Sequence, residues 1–126
     1  MPQGLILFAH GARDPRWAEP FVALQARVQA LRPDWAVRLA FLELMTPGLP
    51  AAAAELAEAG CLQVTIRPMF LGTGGHLRRD LPLLIETLQR THPQVQWQLE
   101  PAIGEHAQVI AAMALAAAGL PEGVPP

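Results

Sequence analysis

Short apolar runs alternate four times with segments whose apolar residues recur at helical spacing, and this switch of period constrains the fold more than any other property of the chain. Residues 4–9 (GLILFA) are a continuous apolar run, as expected of a strand buried on both faces of a parallel sheet. Asp14-Pro15 then offers a helix cap followed by proline, and Trp17, Phe21, Leu24, Val28 and Leu31 predict one apolar stripe facing that sheet. Pro20 is close enough to the first turn to be tolerated. Arg32-Pro33-Asp34 breaks the helix, residues 36–42 read as a second strand, and Thr46-Pro47 opens an alanine-rich helix closed by Gly60. Residues 62–70 predict a third strand, 77–90 a helix, 95–100 a fourth strand and 105–118 a last helix ended by Gly119. Parallel strands need crossover helices, so the expected class is α/β: a doubly wound, four-stranded, mainly parallel sheet with helices on both faces in flavodoxin-like layers.

With 126 residues and 52% hydrophobic content the chain can bury one sizeable core, which predicts a single domain over residues 1–119 and a frayed, proline-rich tail over 120–126. A net charge of −2 and the lack of a long basic run argue against a nucleic-acid partner. The apolar run at the amino terminus is too short for a signal segment or a membrane span, so a cytoplasmic protein without a membrane partner is expected. A lone cysteine, Cys61, can form no internal disulfide and reads as an inert buried thiol.

In open α/β sheets, ligands bind outside the carboxyl ends of the strands. The residues that follow the four expected strands are His10-Gly11, Glu43, a glycine-rich loop (Gly72, Thr73, Gly74, Gly75) leading to His76, and Gly104-Glu105-His106. Three of four histidines and an isolated glutamate therefore fall on one rim. Imidazole and carboxylate together suit Co²⁺, Fe²⁺, Ni²⁺ or Zn²⁺. Each residue also has a bland reading: a histidine after a strand is often a hydrogen-bonded loop residue, and Glu43 could be a solvated strand end. The glycine loop lacks the Walker A lysine and the spaced Rossmann glycines, and reads as a flexible flap beside a bulky ligand. Arg78 and Arg79 occupy a first helical turn, an unfavourable place for cations unless a carboxylate-rich ligand binds there, and Arg13 and Arg16 could act alike. His92, before Pro93 on the opposite rim, reads as a surface residue.

The segments LILFAHGARDP, FLEL, PMFLGTGGHLRRDLP and PAIGEH resemble, in order, the motifs of the class II tetrapyrrole chelatases, in the short sirohydrochlorin branch known as CbiX or SirB. The resemblance implies a chelatase-like doubly wound sheet, His10 and His76 as the metal-binding and catalytic pair, and Glu43 beside the same metal. His106 is a further candidate, although Ala107 stands where the last motif usually has proline. The implied activity is insertion of Co²⁺, Fe²⁺ or Ni²⁺ into a tetrapyrrole for cobalamin or siroheme biosynthesis. The metal is then a substrate, and no other cofactor is implied. Arg13, Arg16, Arg78 and Arg79 would meet the ring's carboxylates, while Gly72, Thr73, Gly74 and Gly75 let it approach. The longer relatives contain two such domains, so a homodimer with the ring between two copies is expected. Two other classes share parts of this pattern. A non-catalytic metal or tetrapyrrole carrier would use the same ligands. A histidine phosphatase also places His-Gly after a strand, but it carries arginine where Ala9 stands here.

Overall fold

The computed structural model describes residues 2–123; the last three residues of the expected tail lie outside that range. Four strands, β1 (Gly4–Ala9), β2 (Ala36–Phe41), β3 (Gln63–Pro68) and β4 (Gln96–Leu99), form one sheet in the order β2-β1-β3-β4 with every pairing parallel. The helices are α1 (Glu19–Leu31), α2 (Leu49–Glu58), α3 (Gly75–Thr91) and α4 (Ala107–Ala117), with short 3-10 turns at Pro15–Ala18 and Ile103–Glu105. The doubly wound α/β expectation is borne out, and β1 has the expected bounds, all six residues being buried.

The other elements shift by a few residues for local reasons. Of the expected extra strand residues, Leu42, Met69, Phe70 and Glu100 follow the ladders and lead into the rim, while Leu62 and Val95 precede them at the opposite end of the sheet. The third helix starts at Gly75, so Gly75 and His76 belong to its first turn and not to a free flap. The last helix starts at Ala107, because the chain first makes the 3-10 turn Ile103–Glu105. Trp17 likewise lies in a 3-10 turn, capped by the Asp14 carboxylate accepting from the Arg16 N–H at 2.9 Å. Leu31 is 79% exposed and leaves the expected stripe, because α1 ends there and the chain turns at Arg32.

The pleat divides β1 between two cores. Ile6 and Phe8 pack with Leu49, Ala52, Ala53 and Leu56 of α2 and Leu81, Ile85 and Leu88 of α3. The alanines let α2 lie close on the sheet, and burying a side chain the size of Phe8 contributes about 1.5–3 kcal/mol. Leu5, Leu7 and Ala9 face the other way, with Val37, Leu39 and Phe41, against Phe21, Leu24 and Val28 of α1. That second layer is thin: neither α1 nor α4 has a fully buried residue. The open edge of β2 is covered by α1, where Gln25 Nε2 donates to the Val37 carbonyl at 3.1 Å and Gln29 Oε1 accepts from the Val37 N–H at 3.2 Å. Such cover removes a free strand edge.

From β1 the chain steps outward to β2 and then returns across β1 to β3, so the direction of winding reverses between β1 and β3. The crevice at the carboxyl ends of those two strands is where this architecture places a ligand.

Candidate functional site

The rim is held together by its backbone. Beyond the ladder, the Leu42 N–H donates to the Ala9 carbonyl at 2.8 Å and the Glu43 N–H to the His10 carbonyl at 3.1 Å, so His10 and Glu43 leave the sheet side by side. Gly11 has φ +93°, and an added Cβ there would overlap the Glu43 carbonyl oxygen. Only glycine allows that close approach together with that dihedral. Glu43 then opens a three-residue turn in which the Met45 N–H donates to its carbonyl at 2.8 Å and Leu44 sits at φ +66°. A leucine in the left-handed region costs on the order of 1–2 kcal/mol. This strain, next to Glu43, is the kind that surrounding structure sustains at functional sites.

The other half of the rim is built alike. The Gly104 N–H donates to the Phe70 carbonyl at 2.9 Å, and a Cβ on buried Gly104 would collide with the Leu71 backbone. The halves meet through the Met69 N–H, which donates to the Phe8 carbonyl at 2.8 Å, and through the His10 ring, whose centroid is 4.4 Å from that of Phe70. Phe70 is 4% exposed and packs in turn near Phe8, so a core aromatic props the His10 imidazole while its outer face meets solvent. Nothing in the sequence marked Phe70 for this role; its place two residues beyond β3 becomes meaningful only once β1 and β3 are known to be neighbours.

The remaining candidates are spread around this centre. His76 is exposed in the first turn of α3. Arg78 Nε donates to Thr73 Oγ1 at 3.4 Å and Arg79 Nε to the Gly75 carbonyl at 3.3 Å, tying the glycine loop to the helix start. Gly72, Gly74 and Gly75 have open space around them, so the fold itself does not exclude a side chain there. Arg13 is exposed. Arg16 is not free: Asp14 holds it at 2.8 Å, and the guanidinium keeps the Asp14 carboxyl below its ordinary value. His106 caps α4, its Nδ1 accepting the Gln108 N–H at 3.2 Å, which leaves one ring nitrogen for other work. His92 stands at the opposite rim as expected, half-buried with its ring 5.9 Å from that of Trp97, whose Nε1 donates to the His92 carbonyl at 3.3 Å. Cys61 is 1% exposed, and burial pushes its thiol up, outweighing the opposing effect of Arg38.

His10, Glu43 and His76 do not form a ready-made three-donor cluster in this conformation. Among the described residues no group of three or more His, Cys, Asp or Glu side chains is close enough to hold a metal. Their backbones share the rim, but His76 leaves it on a helix while His10 and Glu43 leave it on strand extensions, and all three are exposed. A cavity of about 330 Å³ beside His106 is lined by Arg67, Glu100 and Glu105, and one of about 170 Å³ lies between Arg78 and Glu105. A groove of about 550 Å³ runs along the α1 face and is not lined by His10, Glu43 or His76.

The fold and rim thus define a small parallel α/β domain that presents imidazole and carboxylate groups at the reversal of its winding. The chain belongs to the CbiX family, whose model matches residues 4–118. It is 32% identical to a protein of Marinobacter aquaeolei VT8 named as CbiX of cobalamin (vitamin B12) biosynthesis, with a TM-score of 0.83 over 94% of this chain and 96% of that one. SirB of Bacillus subtilis, solved with Fe³⁺, shares the fold at a TM-score of 0.78 and 23% identity, over 96% of this chain but 49% of that one. The sirohydrochlorin cobaltochelatase of Methanocaldococcus jannaschii is 30% identical over 71% of this chain and 63% of its own length. That of Methanothermobacter thermautotrophicus is 30% identical over 65% and 57%. The chain therefore spans less than two thirds of these curated relatives.

Proposed function

We propose that this chain inserts a divalent metal ion, Co²⁺ or Fe²⁺ with Ni²⁺ as a third candidate, into sirohydrochlorin in cobalamin or siroheme biosynthesis. The observation that carries the reading is the pairing of His10 and Glu43: backbone-bonded neighbours with exposed side chains, the imidazole seated on Phe70 at the β1/β3 crevice. The names of the relatives supply the substrate, and the structures of SirB with Fe³⁺ and of a Bacillus subtilis subspecies spizizenii SirB with cobalt support the ion class.

Inserting M²⁺ into a free-base ring exchanges two pyrrole protons for the ion. Neutral imidazole binds borderline metals and accepts protons near neutral pH, so it serves both halves of the exchange. His10 and Glu43 receive the ion first, and the ion draws His76 in from the start of α3. As the metal passes to the ring, one histidine takes the first pyrrole proton and the second passes to the other histidine or to water. The four strands span three spacings of about 4.8 Å, some 14 Å in all, wide enough for a tetrapyrrole laid over the rim. Arg13, Arg78 and Arg79 are exposed and available to its carboxylates, and the bare glycine loop leaves room for its edge. Arg16 joins them only by leaving Asp14.

We read residues 1–119 as one domain acting in the cytoplasm. No helix among the described residues is long and apolar enough to cross a membrane. The domain works as a homodimer, because one exposed rim is shallow and a bulky ring needs a second wall. The match to about half of the SirB chain supports a second such unit. The test is incubation of the protein with sirohydrochlorin and each ion in turn, following the absorbance change of insertion. Binding without turnover would make the protein a carrier.

A further inference from the structure

We infer that Leu44 and Leu71 are the two apolar contacts that seat the face of the tetrapyrrole on the rim, one on each side of the end of β1. The inference rests on the chelatase reading above and adds to it what grips the ring itself. Leu44 is 60% exposed and Leu71 73%. Each stands three residues beyond the last paired residue of its strand, Phe41 of β2 and Pro68 of β3, and those two strands flank β1. His10, the first residue after β1, therefore leaves the sheet between them.

A single exposed leucine needs no explanation. This pair differs in how its backbone is held. Leu44 takes φ +66°, which an L-residue with a Cβ adopts only at a cost, and glycine or asparagine would adopt more readily. Left mostly in solvent, it regains little of that cost by burial within its own chain. The Leu71 backbone is fixed as firmly: a Cβ on Gly104 would collide with it, and the Gly104 N–H donates to the carbonyl of the preceding Phe70 at 2.9 Å. Phe70 goes inward beside the His10 imidazole, and Leu71, the next residue, is turned to solvent. Two fixed backbones thus hold apolar side chains in water at the same rim. That arrangement is a loss for the chain alone and preorganisation for a ligand.

The surroundings select the occupant. β2 and β3 lie two strand spacings apart, about 10 Å, so a ligand that touches both leucines is broad and centred over the end of β1. The exposed cations of the rim are Arg13, Arg78 and Arg79. A bare ion or a small anion would make no use of the leucines, and an uncharged apolar chain no use of the arginines. A flat macrocycle with apolar faces and a margin of carboxylates uses both. The leucines then carry affinity for its face, the arginines meet its margin, and His10 is left near its centre.

Ring and ion binding, measured apart, test this. Leu44→Asn and Leu71→Asn should each weaken binding of free-base sirohydrochlorin, followed by fluorescence, on the order of 10-fold, as for a leucine left in water. Co²⁺ affinity by calorimetry should hold, as should ring binding in Leu44→Met and Leu71→Met. Asparagine tolerates the left-handed region, so Leu44→Asn should melt no lower than the wild type, which separates a lost contact from a lost fold. In turnover the KM for the ring should rise while kcat at saturation holds. Leu62→Asn, at an exposed leucine on the opposite end of the sheet, should change none of these. Asparagine variants that bind the ring as tightly as the wild type, or that lose Co²⁺ as well as the ring, would overturn the inference and leave the chelatase reading standing. A wild type that binds no ring would overturn both. Ring binding that follows the leucines without insertion would sink only the chelatase reading.

Discussion

Gly11→Ala separates the two reasons for glycine at the rim. At φ +93° any side chain is strained, and here the new Cβ also overlaps the Glu43 carbonyl oxygen. Gly60 has nearly the same dihedral, φ +89°, with nothing within contact of an added Cβ, so Gly60→Ala measures the strain alone. That strain, less the entropy the variant removes from the unfolded chain, should cost about 1 kcal/mol. Overpacking against backbone adds about 1–3 kcal/mol, so Gly11→Ala should cost about 2–4 kcal/mol. An unfolding entropy of about 2.1 cal/mol/K per residue makes about 265 cal/mol/K for this chain, which converts those losses to about 4 °C and about 8–15 °C in Tm. Gly104→Ala meets the Leu71 backbone without a positive φ and should fall between them. Thermal melts by circular dichroism, checked by urea midpoints at constant slope, give all three values. Equal losses at Gly11 and Gly60 would refute the account of how Gly11 and Glu43 fit together. In Gly11→Ala the displaced Glu43 should also weaken metal capture.

His10→Ala and His76→Ala should each remove most insertion activity with little change in Tm, because both side chains are exposed; near-normal turnover in either would end its catalytic assignment. Glu43→Gln keeps the shape and loses the charge, so ion affinity by calorimetry should fall while ring affinity by fluorescence holds; the reverse would move Glu43 to the ring's side of the site. Asp14→Asn frees Arg16, and ring affinity should rise if Arg16 reaches the ring; an unchanged value would leave Arg16 as a solvated partner of Asp14. Alkylation of Cys61 should be slow in the native protein and fast in urea, since burial raises its pKa and blocks access; rapid native labelling would contradict its place in the core.

Period and punctuation were enough for the α/β class, the number of units and the first strand, because a buried parallel strand and an amphipathic helix leave distinct patterns. Strand ends were less legible: residues such as Leu42 and Met69 are apolar and read as strand, yet each makes one further bond and then turns into the rim. That His10 and Glu43 share the carboxyl edge could be anticipated from strand order in sequence. Their shared backbone bond could not, since it depends on β2 pairing with β1. Leu44 carried no signal at all, because nothing about a leucine announces a positive φ. His106 read as a further donor because it follows a strand, and the structure adds that the same position starts a helix, one ring nitrogen serving the cap.

The clips that fix the rim are almost all peptide to peptide: Glu43 to His10, Met69 to Phe8, Gly104 to Phe70. Architecture and chemistry are therefore written in different parts of each residue. Exchanging an exposed donor, Glu43 for a histidine or His76 for a glutamine, touches none of those bonds, so the ligand set is free to drift while the scaffold stays put. A descendant of this chain could change its preferred ion by single substitutions, and the rim residues barred from such experiment would be Gly11 and Gly104, which carry no ligand at all.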